Sequence, residues 1–315
     1  MKLCVVIMAG GIGKRMKSRK VKVLHNILEK PLIYYVVELA KSLSPERVVI
    51  VYGKNGEMIK EIFEDVHYAY QEEPLGTGDA VKRGLEKLKD FDGDILILSG
   101  DVILLRKETI MELIEEHIKK NADCTILTFK PENPSHYGRI VRDKEEILKI
   151  VEARDASPEE LEIKEVNSGV YIFKKYALSR NIEKIDNKNA QGEYYLTDVI
   201  SKIKDDNGKI YGVLCKDPSE VEGINTREEL ANVERIMLKR LIKKFQDEGV
   251  TFHLPETIFL GWDVKIGRDS EIYPFNTIIG KTEIGEGCIV EPFCYLKNAK
   301  IPDGTFLRRG TIIEG

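Results

Sequence analysis

The chain has 315 residues, 42% of them hydrophobic and 32% charged, enough for one large domain with a sizeable core and a smaller one. A net charge of −4 without a long basic stripe argues against nucleic acid as a partner. No apolar run is long enough to span a membrane. The five cysteines (Cys4, Cys124, Cys215, Cys288, Cys294) make no Cys-x-x-Cys pair and read as buried small hydrophobes in a reducing cytoplasm.

The first element is the apolar run Lys2–Ala9, which predicts a buried strand. It lacks a convincing signal-peptide cleavage site and passes directly into Gly10-Gly11-Ile12-Gly13-Lys14-Arg15-Met16, followed by Lys22-Val23-Leu24-His25. Glycine lets a backbone approach a ligand, and N–H groups with nearby cations meet phosphate oxygens. Spacing excludes two better-known loops. A P-loop needs Gly-x-x-x-x-Gly-Lys-Ser/Thr, but Met8 stands five before Gly13 and Arg15 follows Lys14. A dinucleotide fingerprint needs a third glycine where Met16 stands. A plain strand-to-helix turn has no need of both Arg15 and Lys22.

Strands are then predicted at Val48–Tyr52, Ile95–Ser99 and Cys124–Phe129, with amphipathic helices at Pro31–Leu43, Gly78–Leu88 and Lys107–Lys119. This alternation predicts an α/β, Rossmann-like domain with a mostly parallel sheet, whose ligands sit at the carboxyl ends of the strands. Between these elements, Gln71–Gly78 is a second glycine-bearing turn. Gln71 offers the donor and acceptor that suit the edge of a base, and Thr77 suits either the ligand or the cap of the next helix. Asp101 ends a hydrophobic strand, where a carboxylate suits Mg²⁺ or the N-cap of the helix near Lys107. Asn225 suits a second metal oxygen or a turn. Tyr137–Ile140, Glu152, Asn167–Gly169 and Asn189–Asp198 are polar patches at element ends.

Thr226-x-x-Glu229 is a capping box, and Leu230, Val233, Met237, Leu241 and Phe245 repeat at helical spacing up to Gly249. The period then becomes six: Leu254, Leu260, Ile266, Ile272, Ile278, Ile284, Val290 and Leu296, a slip of one at Ile301, then Leu307 and Ile313. Hexad periodicity predicts a short parallel β-helix whose exposed edges and apolar flank favour oligomerisation. The predicted organisation is a domain over 1–225, a connecting helix over 226–250 and the β-helix over 251–315.

The run Met8-Ala9-Gly10-Gly11-x-Gly13-x-Arg15-Met16 with Lys22 resembles the signature of sugar-1-phosphate nucleotidyltransferases. Lys14 replaces the usual Thr or Ser, and Val21 the proline before the lysine. Lys22–His25, Asn189–Asp198 and Val221–Asn225, taken in order, resemble the uridyltransferase branch, the first half of the bifunctional N-acetylglucosamine-1-phosphate uridyltransferase/glucosamine-1-phosphate acetyltransferases. The resemblance implies that Met8, Ala9, Gly10, Gly11 and Gln71 hold uridine with Gly76 and Thr77 beside it, and that Arg15 and Lys22 hold phosphates. It implies Gly138, Glu152 and Asn167 for the N-acetylglucosamine, and Asp101 and Asn225 for Mg²⁺. Ser99 and Ile103 depart from the branch, which often has tyrosine and proline there. UTP and N-acetylglucosamine 1-phosphate are the implied substrates, and a homotrimer with a left-handed β-helix the implied assembly. His253 is the only histidine past the connecting helix and the hexads run to Gly315, so acetyl transfer is expected to be absent. The alternatives are a pyrophosphorylase for another sugar such as glucose 1-phosphate, and a catalytically silent regulatory subunit. The presence of Arg15, Lys22, Asp101 and Asn225 weighs against the silent form.

Overall fold

The computed structural model describes residues 1–11 and 13–315; Ile12, inside the first glycine loop, lies outside the described residues. The chain divides into two compact units, one of Met1–Leu24 and Leu32–Asn225, the other of His25–Pro31 and Thr226–Gly315. The short segment His25–Pro31 therefore leaves the first unit for the second, which nothing in its sequence announces.

In the first unit, β1 (Leu3–Ala9), β2 (Arg47–Tyr52), β3 (His67–Tyr70) and β4 (Asp94–Ser99) are mutually parallel. Runs of Val, Ile and Leu with little alternation suit strands covered on both faces, and β1 is buried at all positions but Met8. The later strands are β5 (Cys124–Phe129), β6 (Arg139–Asp143), β7 (Glu146–Val151), β8 (Val166–Lys174) and β9 (Ile210–Leu214). Their order is β3-β2-β1-β4-β8-β5-β9-β7-β6. Only β7 and β8 run against the others, so the sheet is mostly parallel, as the strand–helix alternation predicts. Helices α1 (Leu32–Ser42), α2 (Thr77–Leu85), α3 (Lys107–Lys120), α4 (Lys175–Ile182) and α5 (Asp198–Asp205) accompany it.

Two topological facts place the site. The chain proceeds from β1 to β2 on one side and later inserts β4 on the other, so strand order reverses beside β1, and Ala9, Tyr52 and Ser99 end together. In open α/β sheets the crevice at such a reversal receives ligands. In addition β8 enters antiparallel beside β4, which brings its amino end, with Asn167, to the same edge. Antiparallel insertion of a strand from late in the chain is a long-range pairing with no local signature.

In the second unit, α6 (Arg227–Asp247) starts at the Thr226/Glu229 capping box and buries Val233, Met237, Leu241 and Phe245, as its spacing predicts. Three parallel sheets follow. They stack Phe252, Ile272, Val290 and Leu307; Leu260, Ile278, Leu296 and Ile313; and Ile266, Ile284 and Ile301. The one-residue slip at Ile301 is absorbed within its sheet. The first hexad position is corrected: Leu254 is 57% exposed at a φ of 48°, and Phe252 takes its place in the stack. A leucine in phase with the repeat carries no information on where the first coil starts, because a chain end has no preceding coil to set register. Buried Ser270, Asn276 and Thr282 accept or donate to coil backbone, so the turns close without orphaned groups.

Leu296 is fully buried between Ile278 and Ile313. Leu296→Ala is expected to destabilise this unit by about 2–5 kcal/mol through the cavity it leaves. The measurement is the denaturant midpoint followed by far-UV circular dichroism, and an unshifted midpoint would refute the stack as the unit's core.

Candidate active site

A cleft of about 430 Å³ opens at the carboxyl ends of β1 and β4. Its walls include Met8, Ala9, Gly10 and Gly11 on one side and Gln71, Gly76 and Thr77 on another, with Lys22 and Asp101 at one end. That volume lies in the range of small-molecule sites.

The glycines here answer to geometry. A Cβ on Gly10 would stand 2.7 Å from Gln71 Oε1, so only glycine lets the first loop and Gln71 form one wall. Gly13 has φ of +66°, and a Cβ there would lie 2.7 Å from Lys22 Cβ, so the bare loop makes room for the Lys22 side chain. After Gly13 the chain makes a single 3-10 turn, Lys14–Met16, pinned by buried Met16. Lys14 and Arg15 are both exposed; Lys14 lines the cleft and Arg15 is not among its lining residues.

Residues far apart in sequence meet at Asp101. The Lys22 ammonium pairs with Asp101 Oδ2 and donates to Asn225 Oδ1 at 3.2 Å. Ser99 Oγ donates to Asp101 Oδ1 at 2.6 Å, and the Asn225 amide donates to Gly223 O at 3.0 Å. A Cβ on Gly223 would stand 3.2 Å from Asp101 Oδ2, so the 221–225 segment approaches the carboxylate at van der Waals range. Asp101 does not cap α3, whose N-cap is Arg106 without a side-chain bond. Two oxygens from Asp101 and Asn225 converge on one positive charge. This donor set fits a hard cation that takes few protein oxygens. Among the described residues no group of three or more His, Cys, Asp or Glu side chains could hold a metal.

Gln71 is 5% exposed; its amide donates to Gly76 O at 3.0 Å and to Asp79 Oδ2 at 2.9 Å. Thr77 is the first residue of α2, and its hydroxyl accepts from Leu196 N at 3.0 Å instead of capping the helix. Gly76, at φ of +112°, lets this turn lie against the Tyr194 backbone, and Tyr194 O accepts from Gly78 N at 2.8 Å. The Asn189–Asp198 block therefore buttresses the second glycine turn. The same block reaches the third patch: Thr197 Oγ1 donates to Glu152 Oε1 at 2.9 Å. Gly138 O accepts from Asn167 N at 2.8 Å, and a Cβ on Gly138 would lie 3.5 Å from Glu152 Oε1, so Gly138, Glu152 and Asn167 are neighbours. Asn167 is further fixed by Tyr171, whose hydroxyl accepts from its amide at 2.6 Å.

Burial pushes the Glu152 carboxyl above the usual glutamate range; the Thr197 bond opposes this and the nearby Asp198, Asp155 and Glu193 add to it. Nothing in the sequence pattern marked Asp79, and Lys14 and Ser99 stood out only as departures from the family motif. Thr197 lies within the Asn189–Asp198 block, which stood out through its resemblance to the uridyltransferase branch.

The nucleotidyl transferase family profile matches residues 4–219, and the six-repeat bacterial transferase hexapeptide profile matches residues 263–298. The chain belongs to the nucleotidyl transferase family and is a nucleotidyltransferase joined to a short left-handed β-helix. It is similar to proteins named bifunctional protein GlmU. That of Thermoanaerobacter pseudethanolicus is 41% identical over 99% of this chain and 68% of its own length. Those of Caldanaerobacter subterraneus and Fervidobacterium nodosum are 42% and 44% identical over 96% and 94% of this chain and 65% and 64% of their own lengths. The chain thus spans about two thirds of these relatives. No helix among the described residues is long and apolar enough to cross a membrane.

A carboxyl whose folded pKa is raised contributes stability that is present at low pH and lost as pH rises through the folded value. Glu152→Gln keeps the acceptor for Thr197 and removes that loss. It is expected to raise the melting temperature at neutral pH, with the gain vanishing toward about pH 4. Thermal melts across that range test it, and a gain that persists at low pH contradicts the assignment to Glu152 ionisation.

Proposed function

We propose that the first unit transfers a uridylyl group from UTP to N-acetylglucosamine 1-phosphate, giving UDP-N-acetylglucosamine and pyrophosphate. The observation that carries this reading is the Asn189–Asp198 block. It braces both the Gln71–Thr77 wall of the first-loop cleft and the Gly138–Glu152–Asn167 patch, which supports reading the two as parts of one site. In this reading Met8 to Gly11 and Gln71 hold the uridine, with Gly76 and Thr77 alongside. Gly138, Glu152 and Asn167 hold the sugar. Asp101 and Asn225 hold Mg²⁺, which when bound supplies charge neutralisation for the phosphates.

The sugar phosphate oxygen attacks the α-phosphorus of UTP, a new P–O bond forms, and the bond to the β-phosphate oxygen breaks, with pyrophosphate carrying away the electron pair. The nucleophile is already an anion and needs no general base. Catalysis is positioning and charge compensation. Lys22, which lines the cleft beside Asp101, offsets charge on the α-phosphate and leaving group. Arg15 shares that role, as the resemblance implies, and Lys14 adds a further cation lining the cleft.

We assign no acetyl transfer to residues 251–315. Their one histidine, His253, packs on Tyr273 and meets Glu271 at 3.3 Å. The β-helix presents exposed Phe275 and Phe293 in a stack with centroids 5.2 Å apart, an apolar flank suited to self-association as a trimer.

Purified protein with Mg²⁺, UTP and N-acetylglucosamine 1-phosphate is expected to release pyrophosphate. Asp101→Ala and Lys22→Ala are each expected to lower turnover by about a hundredfold or more. A silent wild type, or variants as active as wild type, would sink the assignment; a panel of sugar phosphates distinguishes glucose 1-phosphate as the acceptor. Sedimentation equilibrium is expected to give three times the monomer mass, and a monomer would remove the trimer.

A further inference from the structure

The buried amide of Gln71 is oriented by its surroundings in a way that decides what it can read. Its nitrogen carries two hydrogens, and both are taken: one by Gly76 O at 3.0 Å, one by Asp79 Oδ2 at 2.9 Å. A carbonyl and a carboxylate are pure acceptors, so the nitrogen must face them and cannot exchange places with the oxygen. Asp79 is itself only 8% exposed, and its other oxygen is held by Arg83 Nε at 3.4 Å. What remains for the cleft is Oε1, the atom against which a Cβ on Gly10 would collide.

We propose that Asp79, held by Arg83, is a positioning residue that locks Gln71 as an acceptor and so selects a pyrimidine carrying a ring N–H. Uracil has a donor at N3; cytosine has a lone pair there and would set acceptor against acceptor. The proposal rests on the reading of Gln71 as a uridine contact and adds the residue that fixes its polarity. Asp79 touches no substrate. Without it, one buried amide hydrogen loses its partner and Gly76 O alone holds the orientation, so the nitrogen turns toward the cleft in a larger share of molecules, where it meets cytosine as well as uracil.

The test is calorimetric titration of the full chain, with Mg²⁺, by UTP and by CTP. Wild type is expected to prefer UTP by about a hundredfold. Asp79→Ala is expected to lower that ratio by about tenfold, through weaker UTP and stronger CTP binding. Asp79→Asn, which keeps an oxygen facing the Gln71 amide, is expected to retain most of the preference, a rescue that a merely structural role would not give. A folded Asp79→Ala with the wild-type ratio overturns the role of Asp79 while leaving the uridine reading intact. A wild type that binds UTP no better than CTP overturns both. If Asp79→Ala does not fold, the side-chain amide protons of Gln71 in wild type decide. Both are expected to exchange slowly and to stay protected when UTP binds, and protons that respond to UTP as ligand donors overturn the proposal.

Discussion

The ion pair between Lys22 and Asp101 is the contact on which the first unit's site depends. Asp101 stands at the end of a strand with an apolar core, 12% exposed, where an unpaired carboxylate is costly. Lys22, 13% exposed, neutralises it, and the pair draws in Ser99 and Asn225 as hydrogen-bond partners. The first glycine loop is bare at Gly13 because the Lys22 stem passes there. Gly223 is bare because the 221–225 segment must reach the same carboxylate. One electrostatic requirement thus ties together the first loop, the fourth strand and the last segment of the unit.

Around this centre, the two glycine turns divide the work. The first comes directly off β1 and meets Gln71 through Gly10. The second opens α2 and is braced from behind by the backbone of Tyr194 and Leu196. Bracing from a distant segment suits a wall that must hold its shape, since a glycine-rich turn has little stiffness of its own. Polar groups are spent on one another here: Thr77 on Leu196, Thr197 on Glu152, Asp79 on Gln71.

Local pattern made much of this legible. Val-rich and Ile-rich strands, amphipathic helices, the capping box at Thr226 and the hexad repeat all follow from residues close in sequence, and the structure keeps them within a residue or two. The motif at Met8–Met16 pointed to phosphate binding, and Asp101 to Mg²⁺ or a helix N-cap; its pairing with Lys22 was not foreseen. Illegible were the lining of the cleft by Lys14 and the start of the hexad stack, where Phe252 displaces Leu254. Neither leaves a periodic trace.

The sequence by itself determined element type and the hexad repeat, because periodicity and turn residues act over a few neighbours. The tertiary structure alone decided which polar groups face which. The meeting of Lys22 with Asp101 and Asn225, the insertion of β8 that carries Asn167 to the site edge, and the hydrogen bonds that turn Gln71 Oε1 toward the cleft join residues 79, 203, 74 to 80 and 8 positions apart or are set by such joins. For hydrogen bonds and ion pairs the energy lies in ångström-scale geometry between side chains, and only the packed chain supplies it.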